Sequence, residues 1–114
     1  MIKRREELTE QEQKYSDGKK VLSQFFLNGF KGESEKLKQF SLVEIEPGEQ
    51  VGYHVHNGDS DSYYIISGKG LYNDNGTEIE VDAGTITFTP SGEGHALKNI
   101  GEDKLCFIAL VIED

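Results

Sequence analysis

From residue 51 to residue 112 the chain is broken again and again by turn-forming steps, at Gly58-Asp59, Gly68-Lys69-Gly70, Asn75-Gly76, Ala83-Gly84, Ser91-Gly92 and Gly101-Glu102. These interruptions come too close together for helices of ordinary length, and their spacing suits the short strands of a barrel or sandwich. The segments between them, 51–56, 62–66, 71–73, 78–81, 85–89, 95–99 and 105–112, read as strands. Two earlier strands are expected at 21–27 (VLSQFFL), ended by Asn28-Gly29, and at 36–46 (KLKQFSLVEIE), ended by Pro47-Gly48. Asn75-Gly76 is the sharpest hairpin signal, because both residues tolerate positive φ. No segment past residue 20 keeps a helical period. The expected fold is all-β.

Residues 1–20 are polar and lack alternation. They are expected to form either a short helix over 4–13 or an arm lying on the barrel or on a partner subunit, with the barrel domain at 21–114. The basic cluster Lys3, Arg4 and Arg5 would complement an acidic body. At 114 residues the chain has room for one core, and a domain this small gains from burying surface against a second copy, so a homodimer is expected. The formal net charge of −9 opposes binding to nucleic acid or to an anionic membrane surface. A single cysteine cannot form an intrachain disulfide, and no apolar run reaches the about 20 residues of a membrane-spanning helix. The charged N-terminal residues lack the apolar stretch of a signal peptide, and a cytoplasmic location is the expectation.

Two of the three histidines, His54 and His56, fall two apart in one expected strand, which puts both imidazoles on one face and turns Tyr53 and Val55 to the other. Such a pair by itself is equally compatible with a wetted sheet face and with a shared ligand. Their surroundings favour the ligand. Residues 48–68 read GEQVGYHVHNGDSDSYYIISG, in which Gly48, His54, His56 and Gly68 stand at the intervals of the first cupin motif. Residues 84–99 read GTITFTPSGEGHALKN, in which Gly84, Pro90, Gly92, His95 and Asn99 match the second. Over about residues 40–112 the chain therefore resembles a small single-domain cupin.

That resemblance implies a double-stranded β-helix, or jelly-roll barrel, in which His54, His56, His95 and an acidic residue converge on a divalent metal ion. The acidic position falls on Asp61, where cupins usually carry Glu, and Asp is shorter by about 1.5 Å. Asp61 is expected to ligate directly if the loop 57–60 shifts, or otherwise through water; Asp59 is the neighbouring substitute. Three imidazoles and a carboxylate suit manganese, iron, nickel, zinc or copper.

Parity along the strand after Asp61 puts Tyr63 and Ile65 on the metal side. Tyr63, Phe88 and Phe107 are candidate substrate-binding residues, each weighed against a plain packing role. Tyr63 and Glu93 are the only candidate acid–base groups. Asn99 is expected to satisfy backbone groups at a strand end, and Cys106 to be a small hydrophobe. Two functions follow: a metal-dependent enzyme acting on a small polar or anionic molecule of sugar or keto-acid type, of unassigned reaction, or a binding module using the same pocket without turnover.

Overall fold

The computed structural model describes residues 1–114 and contains ten strands: β1 (Glu10–Lys14), β2 (Lys20–Phe26), β3 (Leu37–Ile45), β4 (Gln50–Val55), β5 (Asp59–Ser67), β6 (Lys69–Asp74), β7 (Thr77–Asp82), β8 (Ile86–Thr89), β9 (Gly94–Asn99) and β10 (Leu105–Glu113). They form two antiparallel sheets, β1-β2-β3-β10-β5-β8 and β4-β9-β6-β7. Most neighbours are distant in sequence: β10 fills the gap between β3 and β5, and β9 lies between β4 and β6. This is the double-stranded β-helix. Inward side chains of both sheets, among them Ile45, Ile65, Leu97, Leu105 and Phe107, are buried between the layers. No helix is long and apolar enough to cross a membrane.

The expected turns hold the strands in register. Asn75 and Gly76 both take positive φ, 49° and 105°, between the paired residues Asp74 and Thr77. That geometry twists with the strands it joins. Gly68, at φ 96°, has the Leu105 backbone against the place a side chain would occupy. Asn99 acts as its position suggested: its Nδ2 donates to the Ile45 and Asp103 carbonyls and its Oδ1 accepts from the Gly101 N–H.

The helix offered as one option for residues 4–13 does not form. One 3₁₀ turn at Arg5–Glu7 is followed by β1, which pairs along the open edge of β2. The physical reason is the unpaired row of N–H and C=O groups that β2 would otherwise present to water. Tyr15 Oη then donates to Glu49 Oε1 at 2.6 Å, pinning the β1–β2 turn to the start of β4. Residues 10–14 of the polar N-terminal segment form the edge strand of the larger sheet.

Candidate metal centre

His54 lies near the end of β4, His56 just beyond it, and His95 sits directly across from His54 on β9. Asp61 comes from the other sheet, on β5 opposite Thr89 and Val111, with its side chain turned into the barrel. The four meet at one point. His95 Nε2 stands 3.0 Å from His54 Nε2 and 3.1 Å from His56 Nε2. Asp61 Oδ2 is 3.2 Å from Nε2 of both His56 and His95. All four donor atoms lie within 4.8 Å of one another.

The far side of each ring fixes which nitrogen faces the centre. His54 Nδ1 donates to the Gly52 carbonyl and His56 Nδ1 to Asp59 Oδ1, both at 2.8 Å. Neither partner can donate, so the proton sits on Nδ1 and each Nε2 presents a lone pair. His95 Nδ1 is 2.9 Å from Tyr72 Oη, which is itself 2.9 Å from Thr89 Oγ1. Tyr72 Oη can accept from His95 Nδ1–H and donate to Thr89 Oγ1, the direction that leaves the His95 Nε2 lone pair free.

Bare imidazole lone pairs and a carboxylate packed this tightly repel one another unless a cation sits among them. Asp61 Oδ1 is moreover buried without a hydrogen-bond partner. The donors fit a metal ion. Four of the six donor–donor separations are 3.0–3.2 Å, close enough for one ion to be shared among them.

The strand carries the shorter acidic side chain to 3.2 Å from two imidazole nitrogens. β5 begins at Asp59, so Asp61 lies within a sheet that carries its carboxylate up to the imidazoles. Asp59, weighed above as a substitute ligand, instead orients His56. Tyr72 and Thr89 escaped the sequence reading, since nothing local marks a tyrosine on β6 as the neighbour of a histidine on β9.

His54, His56 and Asp61 line a cavity of about 450 Å³, together with Tyr63 and Phe107 from the core side and Gln13, Gln24 and Gln39 from β1, β2 and β3, with His95 buried behind them. Tyr63 packs 4.8 Å from the His95 ring and 4.5 Å from Phe107. Burial pushes its phenol well above the ordinary range, reinforced by the Asp61 charge, so it stays protonated. Phe88 is a correction. It pairs with Ser62 on the outer face of the larger sheet and is 60 % exposed, because strand parity that turns Thr87 and Thr89 inward must turn Phe88 out. Glu93 does not line the cavity. Cys106 is half-buried on the outer face of the same sheet, its thiol pushed up by burial and by Glu44.

The Cupin domain family model matches residues 41–112. The chain belongs to the cupin family. Its relatives include the oxalate-binding protein of Thermotoga maritima, 40 % identical over 77 residues, covering 68 % of this cupin and 64 % of the relative. The oxalate decarboxylase of Bacillus subtilis is 30 % identical over 112 residues, covering 94 % of this cupin but 28 % of the enzyme. The cupin thus spans less than two thirds of either curated relative. Among solved structures, a Thermotoga maritima protein described as a predicted oxalate decarboxylase superposes with a TM-score of 0.89, at 33 % identity and with both chains fully covered.

Proposed function

We propose that this cupin binds a small chelating carboxylate, with oxalate as the first candidate, through a divalent metal held by His54, His56, Asp61 and His95. One observation carries the reading: three imidazole nitrogens and a carboxylate oxygen lie within 4.8 Å of one another, and His54, His56 and Asp61 border a cavity beside the ion they would hold. Two carboxylate oxygens of one small ligand would chelate such an ion from the cavity. The similarity to an oxalate-binding protein supports the ligand class. Imidazole and carboxylate donors suit manganese, iron, nickel or zinc.

When bound, the metal supplies positive charge that attracts and polarises carboxylate oxygens. The protein's own residues do the remainder. Gly52 and Asp59 hold His54 and His56 in the ligating tautomer, and Tyr72 supports the far side of the His95 ring. Tyr63 and Phe107 exclude water from the inner wall, and the Gln13, Gln24 and Gln39 amides offer hydrogen bonds at other parts of the cavity wall.

Turnover is the second reading, favoured by Tyr63, which lines the cavity with its ring 4.8 Å from that of His95. Decarboxylation of oxalate releases carbon dioxide and places a proton on the remaining carbon. Titration calorimetry of the metal-loaded protein with oxalate, run beside an assay for formate, tests both. Absence of heat with oxalate defeats the ligand assignment, and formate production selects turnover over binding alone.

A further inference from the structure

Two kinds of polar group line the cavity: the metal donors, and three glutamines from three strands, Gln13 on β1, Gln24 on β2 and Gln39 on β3. Register puts all three on the inner face. Gln13 pairs with Leu22, Gln24 with Val43 and Gln39 with Val111, and each of these partners also faces the cavity. The polarity is selective. β1 reads EQEQK, so Glu10 and Glu12 turn one way while Gln11 and Gln13 share the face of Leu22 and Gln24. Charge is kept off the cavity side of this strand. Gln24 is also held in place, because its Nε2 donates to Oγ of the fully buried Ser41 at 3.0 Å. An amide fixed on a buried hydroxyl is a preorganised group.

Away from the metal donors the wall offers no charge for an anion. Its one lysine, Lys38, is exposed and paired with Glu113 at 3.2 Å, and it holds no arginine. A carboxylate only accepts hydrogen bonds and is best met by such cations, whereas an amide both donates and accepts, as a hydroxyl does. The glutamines are therefore matched to hydroxyl groups. Size agrees. Oxalate has six non-hydrogen atoms, about the bulk of six waters at about 30 Å³ each, and leaves more than half of the cavity empty. Gln39, Val111 and Asp61 lie on one cross-strand row, so Gln39 stands two strand spacings, about 10 Å of backbone, from Asp61. A ligand seated beside Asp61 reaches that amide with a chain of about four to six carbons, and not with the two of oxalate.

We infer that Gln13, Gln24 and Gln39 form a second subsite that binds the hydroxyl groups of a ligand tail, so that the cavity takes a polyhydroxylated carboxylate whose acid end meets the metal. The inference rests on the metal-bound carboxylate of the proposed function and adds what lies beyond that head group. Oxalate would fill the metal end alone. Between the two subsites, Val43 and Phe107 give an apolar wall for the carbon chain. A site built to hydrogen-bond hydroxyls discriminates against analogues that lack them, because the amides are then cut off from water without a partner.

Titration calorimetry of the manganese-loaded full chain tests the inference with two acids that share one chelating head, α-hydroxyhexanoate and gluconate, run beside oxalate. Gluconate should bind about 10-fold tighter than α-hydroxyhexanoate, the effect of one or two net hydrogen bonds. α-Hydroxyadipate, which ends in a second carboxylate, should gain nothing over α-hydroxyhexanoate. Gln39→Leu and Gln24→Leu should each bring the gluconate and α-hydroxyhexanoate affinities together, while the metal-induced rise in melting temperature reports a folded and filled site. Should Gln24→Leu fail to fold because Ser41 loses its partner, Gln13→Leu on the exposed edge strand takes its place. Equal affinities in the parent chain would overturn the inference, and heat with oxalate would then leave the carboxylate reading standing. A preference for α-hydroxyadipate, or a gluconate preference that survives in the folded variants, would overturn it as well. Heat with gluconate and none with oxalate would support the subsite and remove oxalate alone. No heat with any of the acids would overturn both readings.

Discussion

The Tyr72 hydroxyl sits 2.9 Å from Nδ1 of His95, on the opposite side of the ring from the donor cluster, and passes the hydrogen bond to Thr89. His95 is the donor nearest to every other ligand, and it is completely buried. Removing the phenol leaves the buried Nδ1 of that ring without its hydrogen-bond partner. Tyr72→Phe should weaken metal affinity about 10-fold while retaining the fold, since partners behind a ligating histidine are commonly worth 10–100-fold. Competition titration against a chelating dye measures this, and unchanged affinity would remove Tyr72 from the site.

Asp61 should matter as much as a histidine. Its carboxylate is buried and shares Oδ2 between two imidazoles, so Asp61→Ala should abolish stoichiometric metal binding at micromolar ion. Asp61→Glu should not tighten binding, because the extra methylene pushes the carboxylate past a position the aspartate already reaches. Elemental analysis of the three proteins decides whether the short side chain limits reach.

Metal binding should raise the melting temperature, and His95→Ala should eliminate that rise. Ligation requires neutral imidazoles and an ionised carboxylate, so acidification displaces the ion by protonating the donors. Melting curves with and without metal should therefore converge as the pH falls. A persistent shift in the His95→Ala protein would mean that the ion binds elsewhere.

Tyr63 and Tyr72 are both pushed above the ordinary tyrosine range, chiefly by burial. In each the folded state holds its proton more tightly than the unfolded chain does. Their contribution is fully present below the unfolded tyrosine value of about 10 and declines as the pH rises above it. Tyr63→Phe should consequently flatten the alkaline decline in stability, read from urea midpoints between neutral pH and the alkaline limit. An equally steep decline in the variant would place the alkaline sensitivity in other groups.

Gly68 combines positive φ with backbone contact. A Cβ there would stand 2.9 Å from Leu105 Cα and 2.9 Å from the Lys104 carbonyl oxygen. Gly68→Ala should cost about 2 kcal/mol or more, at the upper end of single-substitution effects. Gly48→Ala, at φ 80° with no neighbour in contact, should cost less. Denaturant unfolding of the pair separates crowding from backbone strain.

What the sequence determined by itself was everything with a short range. Strand positions followed from apolar runs and glycine turns, and the observed strands β2 to β10 start and end within a few residues of those readings. All four donors came from spacings within single segments, His54, His56 and Asp61 from the first motif and His95 from the second. The tertiary structure decided what depends on which strands become neighbours. β5 and β9 belong to different sheets, so whether Asp61 could reach His95 depended on how the two layers pack. Tyr72 became the partner of His95 because β6 pairs with β9, and Phe88 left the pocket because of its register opposite Ser62. β1 became a strand although it is polar throughout, because backbone pairing needs an open edge and not an apolar side chain. Local periodicity is written in consecutive residues, whereas register across distant strands is fixed only when the whole core closes.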